Sequence, residues 1–137
     1  MKKYKIGYTT GTFDLFHIGH LNILRRAKEQ CEYLVVGVST DALVEAYKHK
    51  KTVIPYEQRK AIVEAIKYVD KVIPQKDMDK LKIIKEIEAN AVFVGTDWRG
   101  TSKWNEYEEE FKKVGCEVVW IKHTDGISSS ILRERMK

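Results

Sequence analysis

Two histidines three residues apart are the side chains in this sequence most suited to chemistry. His17 and His20 close the segment Gly-Thr-Phe-Asp-Leu-Phe-His-Ile-Gly-His, which begins at Gly11. Glycines at positions 11 and 19 let the backbone come close to a bulky anion, because glycine has no Cβ. Imidazole N–H groups beside such a loop can donate hydrogen bonds to phosphate oxygens. The segment therefore predicts a phosphate-binding loop.

The elements on either side of this segment must position it. The apolar run Tyr4–Thr9 predicts a strand before the loop, and a helix is expected over Ile18–Glu29. The free N–H groups and positive dipole end of that helix would point at the loop. His17 and His20 would lie on one face, one turn apart. The alternatives are ordinary core or surface histidines and zinc ligands, although no further residues show zinc-ligand spacing.

The bulk composition is that of a small globular protein. With 137 residues, 43% hydrophobic and 33% charged, the chain suits one domain over 1–137. A net charge of +5 fits anionic small molecules. We expect no nucleic-acid partner because no basic, aromatic-rich stripe appears. We also expect no membrane insertion and a cytoplasmic location, since no long apolar run, secretion signal or metal-type cysteine spacing is present.

Short apolar runs alternate with helical stretches along the rest of the chain. The further strand candidates are Tyr33–Ser39, Lys71–Pro74, Ala91–Gly95 and Glu117–Ile121. The further helix candidates are Tyr56–Lys67, Asp79–Glu88, Trp104–Val114 and Ser128–Met136. This alternation predicts an α/β fold: a Rossmann-like open parallel sheet of about five strands with helices on both faces.

Four loops follow strands of this sheet and contain most of its polar motifs. In open parallel sheets, ligands bind beyond the carboxyl ends of the strands, where the strand order reverses. The loops that would meet there are Gly11–His20, Ser39–Asp41, Gly95–Trp98 and His123–Ser129.

Several motifs together resemble a known family. They are Gly11–His20, the lysine-rich segment Lys48–Lys51, Tyr56–Lys60, Tyr68–Asp70, Gly95–Trp98 and the Gly-Ile-Ser-Ser segment Gly126–Ser129. The chain resembles the cytidylyltransferases of the nucleotidyltransferase superfamily, and most of all the bacterial glycerol-3-phosphate cytidylyltransferases. His-x-Gly-His alone occurs more widely, in other nucleotidyltransferases and in class I aminoacyl-tRNA synthetases. Its combination with the late Gly-Ile-Ser-Ser motif is more specific.

The resemblance implies a reaction in which CTP and a phosphorylated alcohol give a CDP-alcohol and pyrophosphate. It also implies Mg²⁺, bound mainly through the nucleotide phosphates, and a homodimer. The implied catalytic residues are His17, His20 and Lys50. The implied nucleotide-binding residues are Gly11, Thr12, Phe13, Asp14, His17, His20, Asp97, Trp98, His123, Thr124, Gly126, Ile127, Ser128 and Ser129. The implied acceptor-binding residues are Asp14, Lys48, Lys50, Arg59 and Lys67.

Some of these residues have a second interpretation. Asp14 can help to place magnesium, orient a lysine or cap a turn. Arg59 can contact the acceptor or brace the site, and Trp98 can pack in the core. The lysine cluster can be a solvated face, and Ser128 can be an ordinary helix N-cap.

The last motif departs from the family at one position. His123 stands where the family usually has arginine, although related cytidylyltransferases acting on phosphoethanolamine have histidine there. The acceptor therefore stays open among glycerol 3-phosphate and similar small polyol or amino-alcohol phosphates. Two other functions remain: an adenylyltransferase that uses ATP with another acceptor, and a non-catalytic nucleotide-binding module.

Overall fold

The computed structural model describes residues 2–96, 99–122, 132 and 134–136. Within these ranges, strands alternate with helices as the sequence predicts, except that two helices lie between the second and third strands. In chain order they are β1 Tyr4–Gly11, α1 Ile18–Gln30, β2 Cys31–Ser39, α2 Asp41–Lys48, α3 Tyr56–Glu64, β3 Lys71–Gln75, α4 Lys80–Ile87, β4 Ala91–Gly95, α5 Ser102–Lys113 and β5 Glu117–Ile121. The five strands pair in parallel in the order β3-β2-β1-β4-β5. The predicted Rossmann-like sheet is confirmed.

Helices cover both faces of this sheet. Successive residues of a strand point to opposite faces, and the buried apolar residues divide into two clusters accordingly. The first cluster contains Val36 of β2 with Leu24 of α1 and Val63 of α3. The second contains Val35 of β2 with Ile84 of α4, together with Phe111 of α5. Both faces of β2 are therefore covered, which explains its unbroken run of buried residues from Leu34 to Ser39.

The strand order places a crevice beside β1. The chain winds outward from β1 through β2 to β3, and then crosses back to β4 on the other side of β1. The order thus reverses between β1 and β4, and ligand sites of open parallel sheets lie at the carboxyl ends of strands at such a point. The loop that contains His17 and His20 leaves β1 at this end.

The structure differs from the prediction in one helix and in several boundaries. Helix α2 was not predicted; it begins after Thr40, whose side chain accepts a hydrogen bond from the backbone N–H of Leu43, and it buries Leu43 and Val44. Helix α3 ends at Glu64, three residues before the predicted end. Most of the predicted helix Ser128–Met136 lies outside the described residues.

The helices of the described ranges are short. None of them is both long enough and apolar enough to cross a membrane.

Candidate active site

The loop between β1 and α1 has an unusual backbone. Phe13 and Leu15 have positive φ angles of 55° and 51°, a left-handed conformation that non-glycine residues seldom adopt. The side chain of Phe13 is buried in the first apolar cluster. A Cβ on Gly11 would come within 3.0 Å of the Phe13 ring. The glycine therefore gives the phenylalanine room to anchor the loop against the end of β1.

The two histidines cap the helix that follows. His17 is the N-cap of α1, and its Nδ1 accepts a hydrogen bond of 3.0 Å from the backbone N–H of Gly19. The backbone N–H of His17 in turn donates to Nδ1 of His20, at 3.2 Å. The imidazole rings stack with their centroids 3.9 Å apart. The predicted arrangement of both rings on one face, one turn apart, is confirmed.

These contacts decide where each imidazole has its proton. A nitrogen that accepts a hydrogen bond carries no proton, so each neutral ring has its N–H at Nε2. Burial lowers the pKa of His17. Burial also lowers the pKa of His20 to about 3, with a further decrease from His17 and an opposing effect from Asp14. Both rings are therefore neutral near pH 7, and each has one N–H to donate.

Asp14 fixes the loop to a distant segment. Its side chain is almost fully buried. One carboxylate oxygen accepts from the backbone N–H of Val53 and the other from that of Ile54, both at 2.9 Å. This geometry supports the interpretation of Asp14 as a turn cap that links the loop to the segment before α3.

Arg59 of α3 fixes the same loop through hydrogen bonds to backbone carbonyl groups. Its guanidinium Nη1 donates to the backbone carbonyls of Thr12 and Ser39, both at 2.7 Å. Nε donates to the carbonyl of Ile54 at 2.8 Å, and Nη2 donates to a carboxylate oxygen of Asp41 at 2.6 Å. The side chain of Arg59 is completely buried. Of its two predicted roles, this position supports bracing of the site rather than contact with an acceptor.

The lysine-rich segment lies partly against the loop. Nζ of Lys48 is 3.2 Å from the hydroxyl oxygen of Thr12. Lys50 and Lys51 are exposed in the turn that follows α2. This turn leads directly into Val53, which binds Asp14. The structure therefore brings Lys48 to the loop and places Lys50 in a segment attached to the loop at both ends.

Lys67 lies elsewhere. It follows α3 and precedes Asp70, whose backbone N–H donates to the carbonyl of Leu34 near the start of β2. Arg59 binds both the loop and Ser39, at the other end of β2. Along this strand, Ser39 lies about 16 Å from Leu34. The structure thus does not bring Lys67 to the loop of its own chain, because α3 runs away from it. The Nζ atom lies 5.3 Å from the centre of the Tyr68 ring.

Eight of the predicted nucleotide-binding residues lie outside the described part of the chain. They are Asp97, Trp98, His123, Thr124, Gly126, Ile127, Ser128 and Ser129.

The sequence interpretation missed one residue near the end of β1. Lys80, the first residue of α4, is buried with 8% of its surface exposed. Its Nζ lies 3.1 Å from the hydroxyl oxygen of Thr10. A signal was present, since a lysine in the first turn of a helix opposes the helix dipole.

Comparison with known proteins identifies the family. The family model described as "Cytidylyltransferase-like" matches residues 8–135. The chain belongs to this family. It is 41% identical over 129 residues to a glycerol-3-phosphate cytidylyltransferase of Staphylococcus aureus, covering 93% of this chain and 92% of the relative. A glycerol-3-phosphate cytidylyltransferase of Bacillus subtilis is 42% identical over 129 residues, covering 93% and 94%.

One further relative and one solved structure are also similar to this chain. An FAD synthase of Archaeoglobus fulgidus is 40% identical over 114 residues, covering 82% of this chain and 81% of the relative. Among solved structures, a lipopolysaccharide core biosynthesis protein from Thermoplasma volcanium superposes with a TM-score of 0.77 at 26% identity, covering 89% of this chain and 99% of that one. The resemblance predicted from the motifs is confirmed, and so is the prediction of a nucleotidyltransferase enzyme.

Protonation of His20 tests the geometry of the pair. In an NMR titration of the folded protein, we expect the His20 ring to remain neutral at pH 5, because burial lowers its pKa to about 3. In the unfolded chain, the His20 ring protonates near pH 6.5. Below that pH the unfolded chain therefore binds more protons than the folded one. Stability should therefore fall as the pH drops from about 6.5, and His20→Gln should remove this part of the fall. A His20 that titrates near pH 6.5 in the folded protein would contradict the hydrogen bonds described.

Proposed function

We propose that this protein transfers the cytidylyl group of CTP to a small phosphorylated alcohol, releasing pyrophosphate. Glycerol 3-phosphate is the first candidate acceptor, because the two glycerol-3-phosphate cytidylyltransferases match nearly the whole chain. The observation that carries the proposal is the pair of neutral, stacked imidazoles at the N-terminus of α1, beside the crevice at the end of β1.

The chemistry needs alignment and charge stabilisation. An oxygen of the acceptor phosphate attacks the α-phosphorus, and the bond from that phosphorus to the pyrophosphate oxygen breaks. The attacking oxygen is already anionic, so no strong base is required. The Nε2–H groups of His17 and His20 donate to the phosphate oxygens, on which negative charge increases in the transition state.

The loop and the N-terminus of α1 supply the rest of the triphosphate site. The helix dipole and the first N–H groups of α1 favour an anion. Lys48 adds a positive charge beside Thr12, and we propose that Lys50 reaches the phosphates from the adjoining turn. Asp14 and Arg59 hold the loop in the shape that these contacts require.

The family motifs support roles for residues outside the described ranges. We propose that Asp97 and Trp98 contact the nucleoside. The last motif would then add donors for the phosphates, through His123, Thr124, Gly126, Ile127, Ser128 and Ser129.

Magnesium is part of the proposal as a partner of the nucleotide. In residues 2–96, 99–122 and the four described positions beyond, no group of three His, Cys, Asp or Glu side chains is arranged to hold a metal. Both oxygens of the loop carboxylate Asp14 accept backbone hydrogen bonds. This arrangement is compatible with an ion that is held mainly by the nucleotide phosphates. Such an ion would neutralise charge on the leaving group.

We also propose a homodimer and a cytoplasmic location. The apolar side chains of Tyr33, Tyr47, Val53 and Ile62 are exposed, which is favourable for association with a second copy. Cys31 and Cys116 are free and buried, as is usual for a protein of a reducing compartment.

A substrate panel separates the candidate reactions. The FAD synthase among the relatives favours adenylyl transfer from ATP as the second candidate. We expect pyrophosphate release from CTP with glycerol 3-phosphate or another small alcohol phosphate, and little from ATP. Release from ATP alone would contradict cytidylyl transfer. Tight CTP binding without turnover on any acceptor would favour the non-catalytic module.

Removal of either imidazole tests the catalytic pair. We expect His17→Ala and His20→Ala to lower turnover at least ~100-fold, as loss of one transition-state donor does. His17→Asn is the matched variant, because an asparagine oxygen can still cap the helix at the Gly19 N–H while the Nε2–H is lost. It should unfold like the wild type in urea and be as inactive as His17→Ala. Wild-type turnover in His17→Asn would remove His17 from the mechanism.

A further inference from the structure

The pairing between β1 and β4 stops before either strand ends. In the described chain, the last residues of the two strands that pair with each other are Tyr8 and Val92. Both strands continue beyond this pair, over Thr9–Gly11 and Phe93–Gly95. Along these continuations β1 stays paired with β2, and β4 stays paired with β5. The two neighbouring strands are therefore split at their carboxyl ends, while each keeps its partner on the outer side.

The hydroxyl of Thr9 lies at the point where the split begins. Its Oγ1 donates to the backbone carbonyl of Phe93 at 2.8 Å, and the side chain is buried, with 3% of its surface exposed. If the parallel register continued, this carbonyl would accept from the backbone N–H of Thr10, and the strands would stay about 4.8 Å apart. The hydroxyl thus satisfies the carbonyl in place of the next hydrogen bond of the ladder.

The split opens beside the proposed triphosphate site. Alternate residues of a strand point to the same face, so Thr9 shares the face of Gly11, where the Phe13 ring and α1 pack. On the other side of the split, a Cβ on Gly95 would meet no atom of the described residues within 4 Å. The space between the two strand ends is therefore continuous with the crevice at the N-terminus of α1.

We propose that Thr9 is a positioning residue, whose hydroxyl holds the carboxyl ends of β1 and β4 apart so that the nucleotide can enter between them. This inference rests on the proposed function, because the ligand that needs the space is the CTP of that reaction. In this role Thr9 touches no substrate and acts through the carbonyl of Phe93. A β-branched side chain has few χ1 rotamers, which suits a hydroxyl that must stay in one place.

Removal of this hydroxyl gives a kinetic test. Thr9→Val keeps the shape of the side chain, but the buried carbonyl of Phe93 loses its donor, which is costly. The N–H of Thr10 is the next donor along the strand, so we expect the ladder to extend by one step and the split to close. The KM for CTP should rise ~10-fold, the equivalent of one hydrogen bond that must break before CTP binds. The KM for the acceptor, measured at saturating CTP, should stay within about 2-fold.

Two further variants separate this role from a general loss of stability. Thr9→Ser keeps the hydroxyl and should restore the wild-type KM for CTP. Asn90→Ala is the matched control, because Oδ1 of Asn90 accepts from the backbone N–H of Ile6 at 2.9 Å, at the other end of the same strand pair. It should lower stability and leave the KM for CTP unchanged. A wild-type KM for CTP and wild-type turnover in Thr9→Val would overturn the proposal and leave the proposed reaction intact.

The split itself can be measured without turnover. In NMR spectra that detect couplings across hydrogen bonds, we expect no coupling between the N–H of Thr10 and the carbonyl of Phe93 in the wild type, and a coupling in Thr9→Val. A coupling in the wild type would overturn the proposal, even if Thr9→Val failed to fold. Weaker CTP binding by Thr9→Val in calorimetry, in a protein that releases no pyrophosphate, would retain the role of Thr9 and reject the proposed reaction.

Discussion

The buried guanidinium of Arg59 is the contact on which the site depends. It joins the loop after β1, the end of β2 and the segment before α3 through carbonyl groups of Thr12, Ser39 and Ile54. Hydrogen bonds to these partners offset the cost of burying the cation, and the planar fork of arginine fixes their relative positions. Because Asp14 binds the same segment from within the loop, the loop is fixed at two points. These two contacts therefore fix the loop that leads to the two histidines.

The site combines uncharged hydrogen-bond donors with a separate positive charge. Two charged imidazoles stacked 3.9 Å apart would repel each other. Their Nδ1 atoms instead accept backbone hydrogen bonds, so the rings stay neutral and offer N–H groups. Positive charge beside the loop comes from Lys48, whose Nζ lies 3.2 Å from the hydroxyl oxygen of Thr12.

Local pattern was enough to predict the sheet and the loop, and too little to predict the buried charges. The strands are short apolar runs, and the loop combines glycines with histidines, so both are visible in neighbouring residues. Helix α2 is short and begins directly after Thr40, within a segment interpreted as a loop. The sequence offered bracing of the site as one role for Arg59, but the helical pattern does not show that Arg59 and Lys80 are buried, because their partners Thr12 and Thr10 are 47 and 70 positions away. Only the fold brings these residues together.

The central claim is that the two imidazoles donate their Nε2–H groups to the phosphates of the nucleotide. A crystal structure of the protein with CTP tests it most directly. The account predicts phosphate oxygens within about 3.2 Å of Nε2 of both His17 and His20, with the triphosphate at the N-terminus of α1. A triphosphate bound away from that helix end, or rings whose Nε2 atoms face the protein interior, would contradict it.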